Sequence, residues 1–565
     1  MPDTGVTRHF NFTIARASIA PDGVQVAGIV VNGQYPGPLI EANWGDWIEV
    51  NVYNEIWGPE DLTSIHWHGF NQQGTPYYDG VATVSHCPIV PGTNLTYRFR
   101  ADEYGTSWYH SHYSAQYSAG VHGPIVIHGP DVVEYDVDLG PISISDWFHD
   151  SYDHLVDLVL TPTGDGLPFR PFSDSNLVGG AGQHPCANVT NGLPCTTVPY
   201  ASYEFQPGKT HRLRIINTGA SAFETVSIDG HTMTVIANDF VPVQPYETPF
   251  VTPGSRPATY NSPSCGDTNG PDGRGIIYYS GIDPNTTAPS STGNNPPPAN
   301  PACSNDPLGS TVPAYAIPAA ATADTTITLT IGLVANSSGV FHWTMNGASL
   351  SADVHLPART KIYNTGTNGT VRLIVINTTP APHPMHIHGH DFQVLAEGQG
   401  QWDGSSITNP SNPQRRDTQM LRAAGANATN PTYIVHQYGQ DNPGIWPFHC
   451  HIAWHLSAGM GIMLLERPAD LAADVKIPAA IEDSCTLFQQ WQTSNPTTDV
   501  DDGLRRMAVR LKRDTEASAD LLARRTLVEH EEHGHQHHHH HHRRHTRHLD
   551  RHNRRSFNGL GRART

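Results

Sequence analysis

The sequence predicts an all-β protein built of sandwiches or barrels, and three features of the chain predict it. Short runs rich in Val, Ile, Thr, Tyr and Phe recur along its length. They are broken up by 51 Gly and 46 Pro. No long stretch carries helical periodicity before about residue 500. The expected strands include Gly28–Val31, Trp47–Val52, Leu95–Phe99, Gly123–His128, Arg212–Ile216, Thr326–Ile331, Val371–Ile376 and Gly461–Leu465.

At 565 residues the chain is too long for one core. Composition divides it into a strand-rich unit 1–130, a second unit 131–320, a third unit 321–495 and a tail 496–565. The second unit ends across a stretch rich in Pro, Asn, Ser and Gly around Pro284–Pro307. In the tail, 504–528 alternates Leu, Val and Ala with Arg, which suits a short amphipathic helix. His530–His552 then holds twelve His, six of them consecutive at His537–His542. Such a segment cannot build a core, and it is expected to be disordered and to bind metal ions weakly.

Charge is placed unevenly. Residues 501–565 carry 15 Lys and Arg against 9 Asp and Glu, so the chain's net −19 divides into −25 before residue 501 and +6 after it. A body this acidic argues against nucleic acid as a partner. Eight Asn-X-Ser/Thr sequons begin at Asn11, Asn94, Asn188, Asn285, Asn336, Asn368, Asn377 and Asn427, which favours a secreted, extracellular glycoprotein. Seven Cys leave one over after pairing. Cys450 lies inside His-Cys-His and is taken as the free one. Cys186–Cys195 and Cys265–Cys303 are expected local disulfides, and Cys87–Cys485 would tie the two ends of the body. Met1-Pro-Asp-Thr-Gly opens without an apolar signal segment, and no stretch is long enough to span a membrane.

Four segments carry the chemistry: His66-Trp-His68, His110-Ser-His112, His383-Pro-Met-His386-Ile-His388 and His449-Cys450-His451-Ile-Ala-Trp-His455, with Met460 following. Alternate residues of a strand point the same way, so His-X-His aims two imidazoles at one spot. In His449-Cys450-His451 the thiol faces away from the two imidazoles, and one strand serves two metal sites back to back. Two His, one Cys and a distant Met form the blue-copper arrangement. His383, Cys450, His455 and Met460 supply it here. His66, His68, His110, His112, His386, His388, His449 and His451 remain for a second centre, enough imidazoles for three copper ions. His122, His128, His231, His342 and His390 lie near these motifs without fitting them and are read as structural.

These motifs resemble the copper-binding motifs of multicopper oxidases. Asp79-Gly80, Cys87-Pro-Ile, Tyr104-Gly-Thr-Ser-Trp-Tyr-His-Ser-His112 and Trp446-Pro-Phe-His-Cys-His-Ile-Ala-Trp-His455 are similar to those of ascomycete laccases, and the likeness runs from about His9 to Pro468. The resemblance implies three cupredoxin-like Greek-key β-barrel domains and four copper ions. It implies a type 1 copper held by His383, Cys450 and His455 with Met460 axial. It implies type 2 ligands His66 and His386, and type 3 ligands His68, His110, His112, His388, His449 and His451. Asp79 matches the family's acid near the cluster, a proton donor in O₂ reduction. The implied activity is one-electron oxidation of phenols or similar small donors, coupled to four-electron reduction of O₂ to water, by a monomer without nucleic-acid or membrane partners.

The chain also departs from the family. Where phenol-oxidising laccases carry an acid after Arg-Leu-Arg-Ile-Ile-Asn-Thr, spacing puts Ser221, and Glu224 nearby reads as a strand residue. Met460 is typical of ascorbate oxidase-like and bilirubin oxidase-like members. The segment after Val241–Glu247 and the stretch Leu356–Lys361 look short, so the second domain is expected to be truncated. Exon loss from the gene sequence would account for both and for the missing signal segment. Three rival readings share these features: a ferroxidase or an ascorbate- or bilirubin-oxidase-like enzyme, a non-enzymatic copper-binding protein, and a copper nitrite reductase. The four-motif layout argues against the last.

Overall fold

Strand alternation builds the framework. In Trp47–Glu55 the side chains of Ile48, Val50, Val52 and Asn54 are buried, and the residues between them face outward. This strand runs parallel to Thr7–Ile19 and antiparallel to Asn94–Arg100. With Val26–Val31 they make a four-stranded sheet. A second four-stranded sheet follows the order Ile40–Asn43, His122–His128, Gly105–Ser111, Ile65–Trp67. Phe12, Ile14, Trp67, Tyr97, Phe99 and Tyr109 fill the first core.

The computed structural model describes residues 1–495 except 59–60, 162, 164–168, 250, 256–271, 284–304, 336–338, 351–361, 368 and 426–429. The tail, the Cys265–Cys303 pair and the short stretch before Lys361 lie outside the described residues.

The middle of the chain is less completely layered. Ser175–Val178, Val137–Trp147 and His211–Asn217 form a three-stranded sheet. Around it stand three two-stranded pairs: Ala201–Phe205 with Gly275–Tyr279, Glu224–Val226 with Val251–Ser255, and Met233–Asn238 with Val241–Thr248. The last part packs two larger sheets. One has six strands in the order Phe341–Met345, Thr325–Ala335, Thr370–Asn377, Thr432–Gly439, Phe392–Gln399, Gln414–Arg416. The other has five: Ile362–Gly366, Gly461–Glu466, Gly444–Cys450, His383–Ile387, Thr418–Leu421. All eight strands expected from the sequence lie within observed strands, and the fold class is all-β as expected.

Helices are the correction. Tyr152–Leu160, Pro468–Asp474 and Ala479–Ser494 are α-helical although all lie before residue 500. In Tyr152–Leu160 the buried residues Tyr152, Leu155, Val156, Val159 and Leu160 do keep a helical period, but over only nine residues. In Ala479–Ser494 only Ile481, Ser484 and Phe488 are buried. No helix among the described residues is long and apolar enough to cross a membrane.

The sequons also divide. Asn11, Asn94 and Asn188 are exposed. Asn377 is fully buried, and its amide donates to the carbonyls of Ala381 and Arg422 at 2.7 and 2.9 Å, so it is not available to carry a glycan. The other four lie outside the described residues.

Two expected disulfides are formed, Cys186–Cys195 and Cys87–Cys485, and Cys450 is a free buried cysteine. Cys87–Cys485 ties the last helix to the first unit, where Phe488 packs on Leu62 and Val90. Its closed loop spans 398 residues. Replacing both cysteines by Ser should therefore destabilise the protein by about 2–4 kcal/mol. Calorimetry should show this as a lower unfolding midpoint, and an unchanged midpoint would show that the helix holds without the bond.

Candidate metal centre

Strand register brings the four motifs together. His66 stands opposite His110 in one sheet, and His386 stands opposite His449 in another. His68 is held just past its strand by its N–H to the Trp108 carbonyl, and His388 by its N–H to Pro447. All eight predicted cage histidines, His66, His68, His110, His112, His386, His388, His449 and His451, converge on one enclosed space. The rings of His66 and His388 lie 4.1 Å apart, as do those of His68 and His386. His112 and His449 are 5.2 Å apart, as are His110 and His451.

Most of these rings are anchored through one nitrogen. Nδ1 of His66 meets the Asp79 carbonyl at 2.6 Å, and Nδ1 of His386 meets the Asp417 carbonyl at 2.8 Å. Nδ1 of His110 and of His449 meet the carbonyls of Ser111 and Cys450. His388 Nδ1 reaches Asp79 Oδ2 at 2.9 Å, and His68 Nε2 reaches Asp417 Oδ1 at 3.0 Å. The opposite nitrogens face inward. Those of His66, His68, His110, His386 and His451 are buried without a hydrogen-bond partner. The Nε2 atoms of His388 and His449 stand 2.9 Å from each other, and those of His112 and His449 3.4 Å.

Burial, reinforced by the neighbouring imidazoles, holds His110, His112, His388, His449 and His451 well below the usual histidine range. Burial also brings His68 down to about 4, against the opposing pull of Asp417. These six rings are therefore neutral, the form that binds metal ions. Inward ring nitrogens without hydrogen-bond partners, each costing about 1–3 kcal/mol when unpaired, fit a set of bound cations. The donor set fits copper, for which imidazole is a preferred ligand.

The second site shares the same strand. Cys450 turns its thiol away from the cage, with Sγ 3.7 Å from His383 Nδ1 and 3.5 Å from His455 Nδ1. These three residues can hold one ion between them. Burial pushes the Cys450 thiol up, so a thiolate there needs a cation beside it. Trp343 packs on both imidazoles, and Thr379 Oγ1 fixes His383 Nε2 at 3.1 Å. Met460 is fully buried, its N–H on the His455 carbonyl and its carbonyl on the Cys450 N–H.

Asp79 lies under the cage with Oδ1 lacking a hydrogen bond. Gly80 makes that position possible. Its φ is +89°, and a Cβ there would sit 1.8 Å from the Ile65 carbonyl oxygen.

Asp417 is the residue that sequence reasoning missed. It holds His68 through its carboxylate and His386 through its carbonyl, and its own N–H is fixed by Asp239 Oδ2 at 3.0 Å. In Arg415-Arg416-Asp417-Thr418 it looks like an ordinary ion-pair residue, and only the pairing of Thr418 with His386 brings it to the cage. Of the other histidines, His390 donates to the His388 carbonyl, while His128 and His231 pair with Glu41 and Tyr279. His122 is buried edge-on against Tyr35. Ser221 donates to Asp146, and Glu224 is buried in its short strand with burial pushing its carboxyl well up. A cavity of about 710 Å³ in the middle region is lined in part by His68, His451, Trp108 and Asp417.

A buried histidine cage back to back with a His-Cys-His site, in an all-β fold, defines a copper protein of the oxidase type. Comparison with known proteins narrows the class. Residues 13–132, 138–259 and 330–470 each match a family model described as multicopper oxidase. Laccase-2 of Podospora anserina is 36% identical over 561 aligned residues, covering 89% of this chain and 86% of that protein. Laccase-1 of Melanocarpus albomyces is 35% identical over 567, with coverage of 89% and 86%. The crystal structure of the laccase from Botrytis aclada matches with a TM-score of 0.75 at 30% identity, covering 88% of this chain and 95% of that one. The chain belongs to the multicopper oxidase family and is a laccase-like, copper-dependent oxidase with oxygen as acceptor.

Asp417→Asn should keep the shape of the site while removing the charge that orients His68. Loss of such a ligand-orienting carboxylate costs about 10- to 100-fold in metal affinity or activity. Copper content and O₂ uptake of the variant measure it, and wild-type values for both would show that Asp417 is only a packing residue.

Proposed function

We propose that this chain oxidises phenols or similar small reducing donors one electron at a time and uses four copper ions per chain to do so. The observation that carries the reading is the inward convergence of the partnerless ring nitrogens beside a separate Cys450 site. When bound, the copper ions supply one-electron acceptance from the donor and four-electron reduction of O₂ to water. His383, Cys450 and His455 would hold the electron-accepting type 1 ion, with Met460 as a weaker fourth residue. His66 and His386 would hold the type 2 ion. His68, His110, His112, His388, His449 and His451 would hold the type 3 pair.

The chain's own contributions follow from position. Cys450 is bonded directly to His449 and His451, so one strand joins the two sites covalently. Asp79 bonds His388 and keeps a second carboxylate oxygen in the buried space, where it can hold a proton for the reduced oxygen. Domain limits of 1–130, 131–320 and 321–495 are supported by the three matched segments and by the change of sheets near their ends. Exposed sequons, the disulfides and the fungal laccase relatives support a secreted protein.

Metal analysis with visible spectroscopy tests the assignment. The purified protein should hold four coppers with an intense blue thiolate band, and it should consume O₂ with phenolic donors. Cys450→Ser should abolish the band and donor oxidation while retaining cage copper. A fully loaded but colourless wild type would overturn the Cys450 site.

Met460 sets a second expectation. A thioether near the copper stabilises the oxidised ion and lowers its reduction potential. Met460→Leu conserves volume in a fully buried position and should fold. Redox titration of the blue band should then give a raised potential, and the range of oxidisable donors should widen. An equal or lower potential would mean that Met460 only fills space.

A further inference from the structure

Asp22, His149 and His184 meet where the first unit touches the middle region, and the oxidase reading uses none of them. Their ligand atoms lie within 4.8 Å of one another. We propose that they form an additional binding site for a divalent transition ion of borderline softness, represented by Zn²⁺, which pins the first unit to the middle region.

The three side chains come from three distant segments. Asp22 lies in the turn between Thr7–Ile19 and Val26–Val31. His149 follows Val137–Trp147, and His184 lies two residues before Cys186 of the local disulfide. Backbone contacts hold this junction closed: Gln25 N–H on the Pro194 carbonyl, Thr196 N–H on Gly23, and His184 N–H on Asp22 itself. Gly23 permits the approach, since a Cβ there would lie 2.0 Å from the Thr196 oxygen at a φ of +96°.

The surroundings are those of a ligand set already oriented. The Asp22 carboxylate is fully buried, and its Oδ2 receives the Ser175 hydroxyl at 2.6 Å while its Oδ1 accepts the Val24 N–H at 3.0 Å. His184 is oriented by Nδ1, which meets the Asp174 carbonyl at 3.0 Å and leaves the lone pair on Nε2. A backbone carbonyl on the far nitrogen is the usual support of a metal-bound imidazole. His149 stands between two carboxylates, Nε2 2.7 Å from Asp22 Oδ2 and Nδ1 3.8 Å from Asp174 Oδ1. The His149 and His184 rings meet edge to face at 4.7 Å.

With one N–H, the His149 ring can serve only one of its two carboxylates. An ion at Nε2 resolves this. The ring's single N–H then sits on Nδ1, facing Asp174, while Nε2 and the Asp22 carboxylate both present lone pairs to the ion. Two imidazoles and one carboxylate form a donor set that zinc accepts. The consequence is structural, because the bound ion crosslinks the turn at Asp22 to the loop at His184.

The test uses the full copper-loaded chain. Its His-rich tail takes up zinc too, so the readout is the difference between proteins that share the tail. Wild type, His184→Ala and His149→Gln are dialysed against buffered Zn²⁺, and bound zinc and the unfolding midpoint are measured with and without it. Wild type should bind one more equivalent than either variant, and Zn²⁺ should raise its midpoint by several degrees while moving neither variant. The blue band should be the same in all three. His184 is partly exposed, so His184→Ala should fold even if His149→Gln does not. Equal zinc content and an equal Zn²⁺ response in wild type and His184→Ala would overturn the proposal.

Discussion

The antiparallel pairing of His383–Ile387 with Gly444–Cys450 is the register on which both halves of the site depend. It sets His386 against His449 and Met385 against Cys450. A slip of one residue would turn Cys450 into the cage and His449 out of it, because side chains alternate with a period of two. The register is clamped from both sides. Gly461–Glu466 pairs along Gly444–Cys450, and Thr418–Leu421 pairs along His383–Ile387. The second clamp also delivers Asp417, so one set of ladder bonds fixes the ligands and the group that orients two of them.

This arrangement is bought with local instability. Five inward ring nitrogens lack partners, and at about 1–3 kcal/mol each their sum rivals the net stability of a typical folded protein. The two outer sheet pairs supply the offset. Ile14, Ile48, Val50, Leu373, Val375, Phe448 and Ile462 are completely buried in the apolar core of these sheets. Among the described residues the middle region contributes fewer buried apolar side chains, and a cavity of about 710 Å³ lies within it. The rigidity needed to hold neutral imidazoles against one another thus comes from the two ends of the body.

Much of this was legible in the residues, for a definable reason. His-X-His on a strand is a local pattern, so the histidines and Cys450 announce their grouping wherever the strands end up. The strands show themselves through alternation, as in Ile48, Val50 and Val52. What could not be read is non-local. Asp417 reaches His68 across 349 positions and His149 reaches Asp22 across 127, with no spacing rule to connect them. Asn377 carries a glycosylation signal that is purely local, and its burial follows from a sheet the signal knows nothing about. The helix Ala479–Ser494 hides because its contact face is narrow.

The covalent bond between Cys87 and Cys485 has a consequence for the history of the molecule after synthesis. Every histidine motif of the candidate site except His66-Trp-His68 lies between these two cysteines. A protease that cuts an exposed loop anywhere in that interval leaves two polypeptides but one molecule, with its chain ends still fastened to the first unit. Damage of that kind is invisible until the bond is reduced. The protein can therefore be worn by its surroundings for some time while the two sheet pairs that frame the site stay together.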